Sequence, residues 1–308
     1  MTNILLSRGI IGNSNMIEYF NPYIKKTDQV CIVALSHFPK YTPDEAAYNA
    51  YYEKGGEYYQ KMIDSFAKNW PTEITLYVYA EKCNPSVANI PNVVVLNADK
   101  QLPELSLFKE KWKNVPKANG VCPWPERRPR DHHKSFKWDA VKFSNKVFCI
   151  FGCAETITTD VLIWMDADTI CHSPITMETL NSFIPTDYDI CYLGRENKWP
   201  ECGLYSMNLN TNSTKNFLSE FKRAYTDAEN GIFKMEEWHD SFVFFEIIKK
   251  IKPNTLNWSA GIIKGEGHPL INSKWGAYLD HLKGNRKLLG KSNKTDIVVN
   301  RTEEYWKK

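Results

Sequence analysis

The run Val161-Leu162-Ile163-Trp164-Met165 constrains the fold most, because it is apolar at every position and stops at Asp166-Ala167-Asp168. A strand with one wet face alternates apolar and polar residues. A run without alternation must be covered on both faces, as in mainly parallel sheets flanked by helices. Val30–Ser36 has the same character, and Ile74–Ala80 and Val93–Leu96 supply two more strands. Between the first two, 57–70 carries Tyr58, Met62, Ile63, Phe66 and Trp70 at helical spacing. The same reasoning predicts helices over 133–153, 212–230 and 237–251, and strands over 160–165, 186–193 and 203–208. Strands alternating with helices predict an α/β fold with a mainly parallel sheet. The tail from Gly265, rich in Gly, Lys and Asn, is expected to wrap over the core. The 308 residues read as one domain, 1–308, with a first half over 25–168 and a second over 169–308.

The longest apolar runs fall far short of the ~20 residues a bilayer span needs. The first residues hold an apolar patch with Arg8 but neither a charged leader nor a small-residue cleavage site, so the expectation is a cytoplasmic chain without a membrane span. Most of the 8 cysteines sit in apolar runs without paired metal-type spacing, and read as reduced thiols. The net charge of +3 gives no global field for nucleic acid or membrane. Charge is local instead. From Lys109 to Lys137 the bases Lys109, Lys111, Lys113, Lys117, Arg127, Arg128, Arg130, Lys134 and Lys137 face only Glu110, Glu126 and Asp131. The prolines at 116, 123, 125 and 129 predict an irregular loop over 113–130. Such a segment is either a solvated loop or a groove for phosphates.

Acids beyond the carboxyl end of a strand in an open α/β sheet project into the usual ligand crevice. Asp166 and Asp168 have no Lys or Arg beside them in sequence, and would repel unless a cation neutralised them. Hard oxygen ligands suit Mg²⁺ or Mn²⁺, which commonly share coordination with a phosphorylated substrate. The alternative is an acidic turn capping a helix near Thr176.

An apolar strand running into Asp-x-Asp, preceded by Trp138-Asp139-Ala140-Val141-Lys142-Phe143, resembles the nucleotide-sugar transferases of the GT-A fold. The resemblance implies a GT-A type, Rossmann-like sheet and a divalent ion bridging the donor diphosphate. It makes Asp168 the principal metal ligand, and Asp166 a ligand to the metal or the donor's ribose. Asn230-Gly231-Ile232 followed by Glu237-Trp238-His239-Asp240 resembles a stretch of the retaining blood-group and α-1,3-galactosyl transferases. Ser241 stands where those enzymes carry a glutamate, which argues against a covalent intermediate at that position; Asp240 remains near the sugar, or caps its helix. His281-Leu282-Lys283-Gly284-Asn285-Arg286-Lys287 resembles the C-terminal motif of the glycogenin-like transferases. There the resemblance implies that His281 completes the metal shell, that Gly284 lets backbone approach the phosphates and that Lys287 touches them. His268 is a competing ligand.

Lys134, Lys137 and Lys142 are candidates to neutralise donor phosphates, and Trp199, Glu201 and Trp238 to contact sugar or acceptor. Asp240, Ser241 and Glu201 form the candidate catalytic set. The implied function is transfer of a sugar, hexosyl or pentosyl, from a nucleotide diphosphate sugar, UDP-sugar first, to an acceptor hydroxyl with retention. The 25–168 half would bind the nucleotide, and 169–308 the acceptor, its tail completing the metal site. The acceptor is a glycan or, as in phages that glycosylate hydroxymethylated bases, DNA met by the basic segment with Trp112 and Trp124; the cytoplasm would then be that of the host. A rival class is open as well. Asp166-Ala167-Asp168-Thr169 fits the start of haloacid-dehalogenase-like phosphatases, with Asp166 as nucleophile and Asp168 as acid/base. That family needs a later Gly-Asp type motif, and neither Gly-Asp nor Asp-Asp follows Asp168.

Overall fold

A computed structural model describes residues 58–81, 83–128, 135–196, 198–262, 267–284 and 286–307, with 30–37 and 288 described by backbone alone. Arg130, Asp131 and Lys134, the expected helix start at His133 and the expected tail start at Gly265 lie outside the described residues. In chain order the elements are β1 (Val30–His37), α1 (Tyr58–Asn69), β2 (Thr75–Glu81), β3 (Val93–Asn97), α2 (Pro103–Trp112) and α3 (Ala140–Thr156). There follow β4 (Val161–Met165), β5 (Thr169–Cys171), β6 (Ile190–Arg195), β7 (Lys198–Asn208), α4 (Asn212–Thr226), α5 (Asp240–Ile251), β8 (Thr255–Asn257) and β9 (Leu279–His281), with several shorter helical turns between them.

Seven strands form one sheet in the order β3-β2-β1-β4-β7-β6-β8, and β5 pairs with β9 in a separate ribbon. β1 runs parallel to β2 and β4, β2 to β3, and β6 to β8. β7 is antiparallel to both neighbours. The sheet is therefore mainly parallel, as the unbroken apolar runs predict.

β4 shows why its sequence lacks alternation. Leu162 and Trp164 enter the core on one face, with α2, α3, α4 and α5, while Val161, Ile163 and Met165 enter the core on the other, with α1. Successive side chains of a strand point to opposite faces, so two cores demand two apolar sets. Ile163 has no exposed surface, and truncating it to Ala would cost about 2–5 kcal/mol. The second core is closed by the C-terminal segment, through Leu270, Ile271, Trp275 and Trp306. Trp275 stacks at 6.5 Å on Trp70 of the turn after α1, and Trp258 meets it edge-on at 5.1 Å. The expected wrap over the core is thus a packed layer.

Several boundaries differ from expectation, each for a local reason. α3 starts at Ala140 because the Asp139 side chain accepts from Lys142 N and caps it. Phe136, which fits the helical period, precedes that cap and is 52% exposed. α5 starts at Asp240, capped by the His239 ring accepting from Phe242 N at 3.3 Å; Asp240 is the first helical residue and not the cap. Thr176 itself caps the helix Met177–Phe183, so Asp166 and Asp168 are released from that role. α4 ends at Thr226, and β7 begins at Lys198, so Glu201 stands within a strand. In the loop after α2, Pro116–Asn119 is a single 3₁₀ turn. The described cysteines are free thiols, and no described helix is long and apolar enough to cross a membrane.

Candidate active site

Asp166 leaves β4 with its N–H still donating to Gly203 O of β7 at 2.8 Å, and its carbonyl accepts from Thr169 N at 3.0 Å. That turn aims both acids beyond the strand end. β5 then pairs with β9 so that Thr169 faces His281, and Leu282 N donates to Asp168 O at 2.8 Å. The ribbon thereby carries an imidazole from the C-terminal segment to the acids. His281 Nε2 lies 2.9 Å from Asp168 Oδ1 and 3.6 Å from Asp166 Oδ2. The three ligand atoms of Asp166, Asp168 and His281 lie within 4.8 Å of one another.

The premise that the acids lack basic partners holds for sequence neighbours only. Lys146, from α3, sits 2.9 Å from Asp166 Oδ1 and 2.8 Å from Asp240 Oδ2, and also donates to Cys202 O. Trp164 Nε1 donates to the same Asp166 oxygen at 2.7 Å. Lys287 lies 3.0 Å from Asp168 Oδ2. Burial would lower the Lys146 ammonium, but Asp166 and Asp240 outweigh it and raise it above its ordinary value. Burial would likewise raise the Asp168 carboxyl, yet His281 and Lys287 hold it well below the usual carboxylate range. The lysine stays charged and Asp168 ionised. Each aspartate keeps one oxygen turned to the imidazole.

A second trio, Glu201, His268 and His281, is equally close-set, but its chemistry does not suit a cation. His268 Nδ1 accepts from Leu270 N at 3.2 Å. Burial pushes the His268 pKa well below its ordinary value, so the ring is neutral and its single proton sits on Nε2, the nitrogen facing the trio. Glu201 already receives Lys283 at 2.6 Å on both oxygens, and Arg195. A metal there would meet fixed positive charge and a protonated nitrogen. The trio Asp166, Asp168 and His281 suits a hard divalent ion better: each aspartate keeps one oxygen clear of its lysine, and no hydrogen bond among the described residues occupies His281 Nδ1, so the ring's proton can move there and free the Nε2 lone pair.

Asp166 and Asp168 line a cavity of about 720 Å³ whose wall includes Tyr58, Lys146, Trp199, Glu201, Asp240 and Ser241. It lies at the carboxyl ends of β2 and β4, where such folds gather ligands. The sequence candidates divide as follows. Asp166, Asp168, Asp240, Ser241, Glu201, Lys142 and Lys287 reach the cavity wall, and His281 is buried directly behind it. Lys137 is 4.0 Å from Glu237. Gly284 has φ +59 with open space where a Cβ would be, and it stands off the wall. Trp238, 1% exposed, donates to Met235 O at 3.0 Å, and Trp112 meets Phe233 edge-on at 4.6 Å. Both are core, so neither offers a face to a sugar or a base. Arg128 pairs with Glu236 and Glu237.

Sequence reasoning missed Lys146, Gly203 and Phe136. Lys146 carried a readable signal: a lysine followed directly by Val147-Phe148-Cys149-Ile150, which a solvated helix face would not place there. Gly203 has none; a Cβ on it would stand 2.5 Å from His281 Cε1, a clash legible only once the C-terminal segment is placed.

The fold and site together define an α/β protein with two aspartates and a histidine gathered beyond the carboxyl end of a central strand, in an arrangement that could hold a metal ion. Neither family models nor curated proteins match the sequence. Among solved structures the chain is similar to mouse xyloside xylosyltransferase 1 in its apo form, at 11% identity over 74% of this chain and 84% of that one, TM-score 0.43. It is also similar to the glycosyltransferase GlyE of Streptococcus pneumoniae TIGR4, at 9% identity over 74% of this chain and 45% of that one, TM-score 0.37.

Proposed function

We propose that this protein is a metal-dependent glycosyltransferase of GT-A type. It would move a sugar from a nucleotide diphosphate sugar, UDP-sugar first, to an acceptor hydroxyl. One observation carries the reading: the Asp166, Asp168 and His281 ligand atoms converge within 4.8 Å beside a cavity of about 720 Å³, a volume in the range of small-molecule sites. The motifs in the sequence support the same class. In this reading 1–308 acts as one catalytic domain, 25–168 receiving the nucleotide and 169–308 the acceptor.

Mn²⁺ or Mg²⁺, held by Asp166, Asp168 and His281, would neutralise charge developing on the departing diphosphate. Lys287, 3.0 Å from Asp168 Oδ2, would exchange that partner for a phosphate oxygen. Lys146 holds Asp240 by one oxygen at 2.8 Å, which fixes a carboxylate beside the sugar where positive charge develops. With Ser241 in place of a glutamate, no side chain is assigned as nucleophile. The acceptor oxygen bonds to the anomeric carbon on the face from which the diphosphate leaves, and its proton passes to the departing diphosphate oxygen. Retention follows.

The acceptor is taken to be a glycan. The nucleic-acid reading loses Trp112 to the core and Arg128 to its two glutamates. Thermal stability measured with UDP, with Mn²⁺ and with both tests the class, since ligand binding raises stability by RT ln(1 + [L]/Kd). The expected result is a rise largest with both together. No rise with any of several nucleoside diphosphates plus Mn²⁺ would overturn it. A panel of nucleotide sugars scored by hydrolysis then names the donor, and NMR of the product decides retention.

A further inference from the structure

We propose that Glu201 is a positioning residue. It receives the proton that must sit on Nδ1 of His281 whenever Nε2 holds a cation, so that carboxylate, imidazole and metal form one chain. The inference rests on the cation site proposed above and assigns Glu201 a role other than direct catalysis.

His281 is 1% exposed, and its Nδ1 is buried without a hydrogen-bond partner among the described residues. Glu201 Oε1 faces that nitrogen at 4.0 Å. Gly203, two residues further along β7, walls the ring: a Cβ there would lie 2.5 Å from Cε1 and 2.7 Å from Nδ1. The imidazole is thus held between Asp168 at Nε2 and Glu201 beyond Nδ1.

A neutral imidazole carries one proton. An ionised carboxylate only accepts, so the 2.9 Å contact of Nε2 with Asp168 puts that proton on Nε2 in the metal-free state. A cation on Nε2 needs the lone pair there. The Nε2 proton is then released and one is taken up at Nδ1, so the ring stays neutral. The carboxylate facing Nδ1 is Glu201, and the gap must close by about an ångström to reach hydrogen-bond length.

Glu201 has capacity for this and little else. A carboxylate offers roughly four acceptor positions. Lys283 bonds to both oxygens and Arg195 to Oε2, which leaves one position, on Oε1. With 3% of its surface exposed, the carboxylate is poorly disposed to deprotonate an acceptor hydroxyl. Partners of this kind orient a metal-bound histidine and raise its basicity, and losing them typically weakens binding 10–100-fold.

The test uses the full chain. Histidine side chains labelled with ¹⁵N are observed by NMR without and with saturating Mg²⁺; the expected result is His281 protonated at Nε2 when free and at Nδ1 when loaded. In parallel, Mn²⁺ affinity is read by EPR for wild type, Glu201→Gln and Lys283→Met. Glu201→Gln should bind Mn²⁺ about 10–100-fold more weakly, whereas Lys283→Met, which removes a partner of Glu201 but leaves Oε1 for the ring, should bind at least as well as wild type. Nε2 still protonated at saturating Mg²⁺ overturns the inference even where Glu201→Gln does not fold. Equal weakening by the two substitutions overturns it too, because Glu201 would then be an anchor for Lys283. If wild type binds neither Mn²⁺ nor Mg²⁺, the cation site itself fails, a different outcome from binding with the wrong tautomer.

Discussion

Asp166 and Asp168 lie on one side of the His281 ring and Glu201 on the other, yet the three carboxylates are held differently. Each aspartate has one oxygen occupied by a lysine and the other turned to the imidazole, with side chains 26% and 13% exposed. Glu201 has both oxygens occupied and a side chain 4% exposed. Burial would raise its pKa, but the Lys283 ammonium and the Arg195 guanidinium hold it well below the ordinary value. The difference teaches that a carboxylate's function follows from which acceptor positions remain open and whether a ligand can reach them. Charge alone does not distinguish the two.

The sharpest way to break this comparison is Asp168→Asn. Transfer should fall at least about 100-fold at fixed Mn²⁺, measured as initial rate, with an intact melting transition showing that the fold survives. Wild-type turnover in this variant, or in wild type stripped of divalent ions, would remove the distinction.

Lys146→Met attacks the open side from below. It leaves Asp166 and Asp240 without their shared cation in a buried setting, which should cost about 3–5 kcal/mol in urea denaturation. If Asp166 is a metal ligand, Mn²⁺ should restore part of that loss in the variant, since an ion that binds the folded state stabilises it. No recovery would leave Asp166 a structural acid like Glu201.

Gly203→Ala presses on the ring that joins the two sides. The added methyl would displace His281 by some tenths of an ångström or more, and Mn²⁺ affinity should fall about tenfold or more. Unchanged affinity would mean that His281 does not ligate.

The smallest effect supplies a baseline. His172 lies away from the three carboxylates, stacked on Tyr305 at 3.9 Å, and burial lowers its pKa to about 4. The unfolded chain binds this proton below about 6.5 and the folded protein only near 4, so stability is full above pH 6.5 and declines as pH falls toward 4. After allowance for the ring's partial exposure the decline is about 1–2 kcal/mol. His172→Phe should flatten that part of the stability curve, and a profile that stays as steep would place the pH dependence elsewhere.

Much of this architecture was readable from residues whose signal is local. β4 and the acids after it are adjacent in sequence, and so are the helical spacings of α1 and α4. What could not be read depends on distant pairing. Lys287 reaches Asp168 from the far end of the chain, and Glu201 acquires its cations from Arg195 on β6 and Lys283 after β9. Local competition explains the boundary errors: Asp139 and His239 accept from backbone N–H groups and start helices that apolar periodicity alone begins earlier. Trp112 and Trp238 suit a binding role by sequence yet lie in the core, because composition cannot tell a buried ring from a displayed one.

The β5–β9 ribbon bears on when the protein becomes competent as it is made. His281 and Asp168 are 113 positions apart, and the three paired positions of the ribbon join them. Closing so long a loop is entropically late in folding. A chain emerging from the ribosome can therefore pair β1 through β4 and bury Trp164 well before the trio exists. Until residues 279–287 have been made and docked, the nascent protein holds Asp166 on Lys146 while Asp168 awaits both His281 and Lys287, so competence follows the docking of that segment.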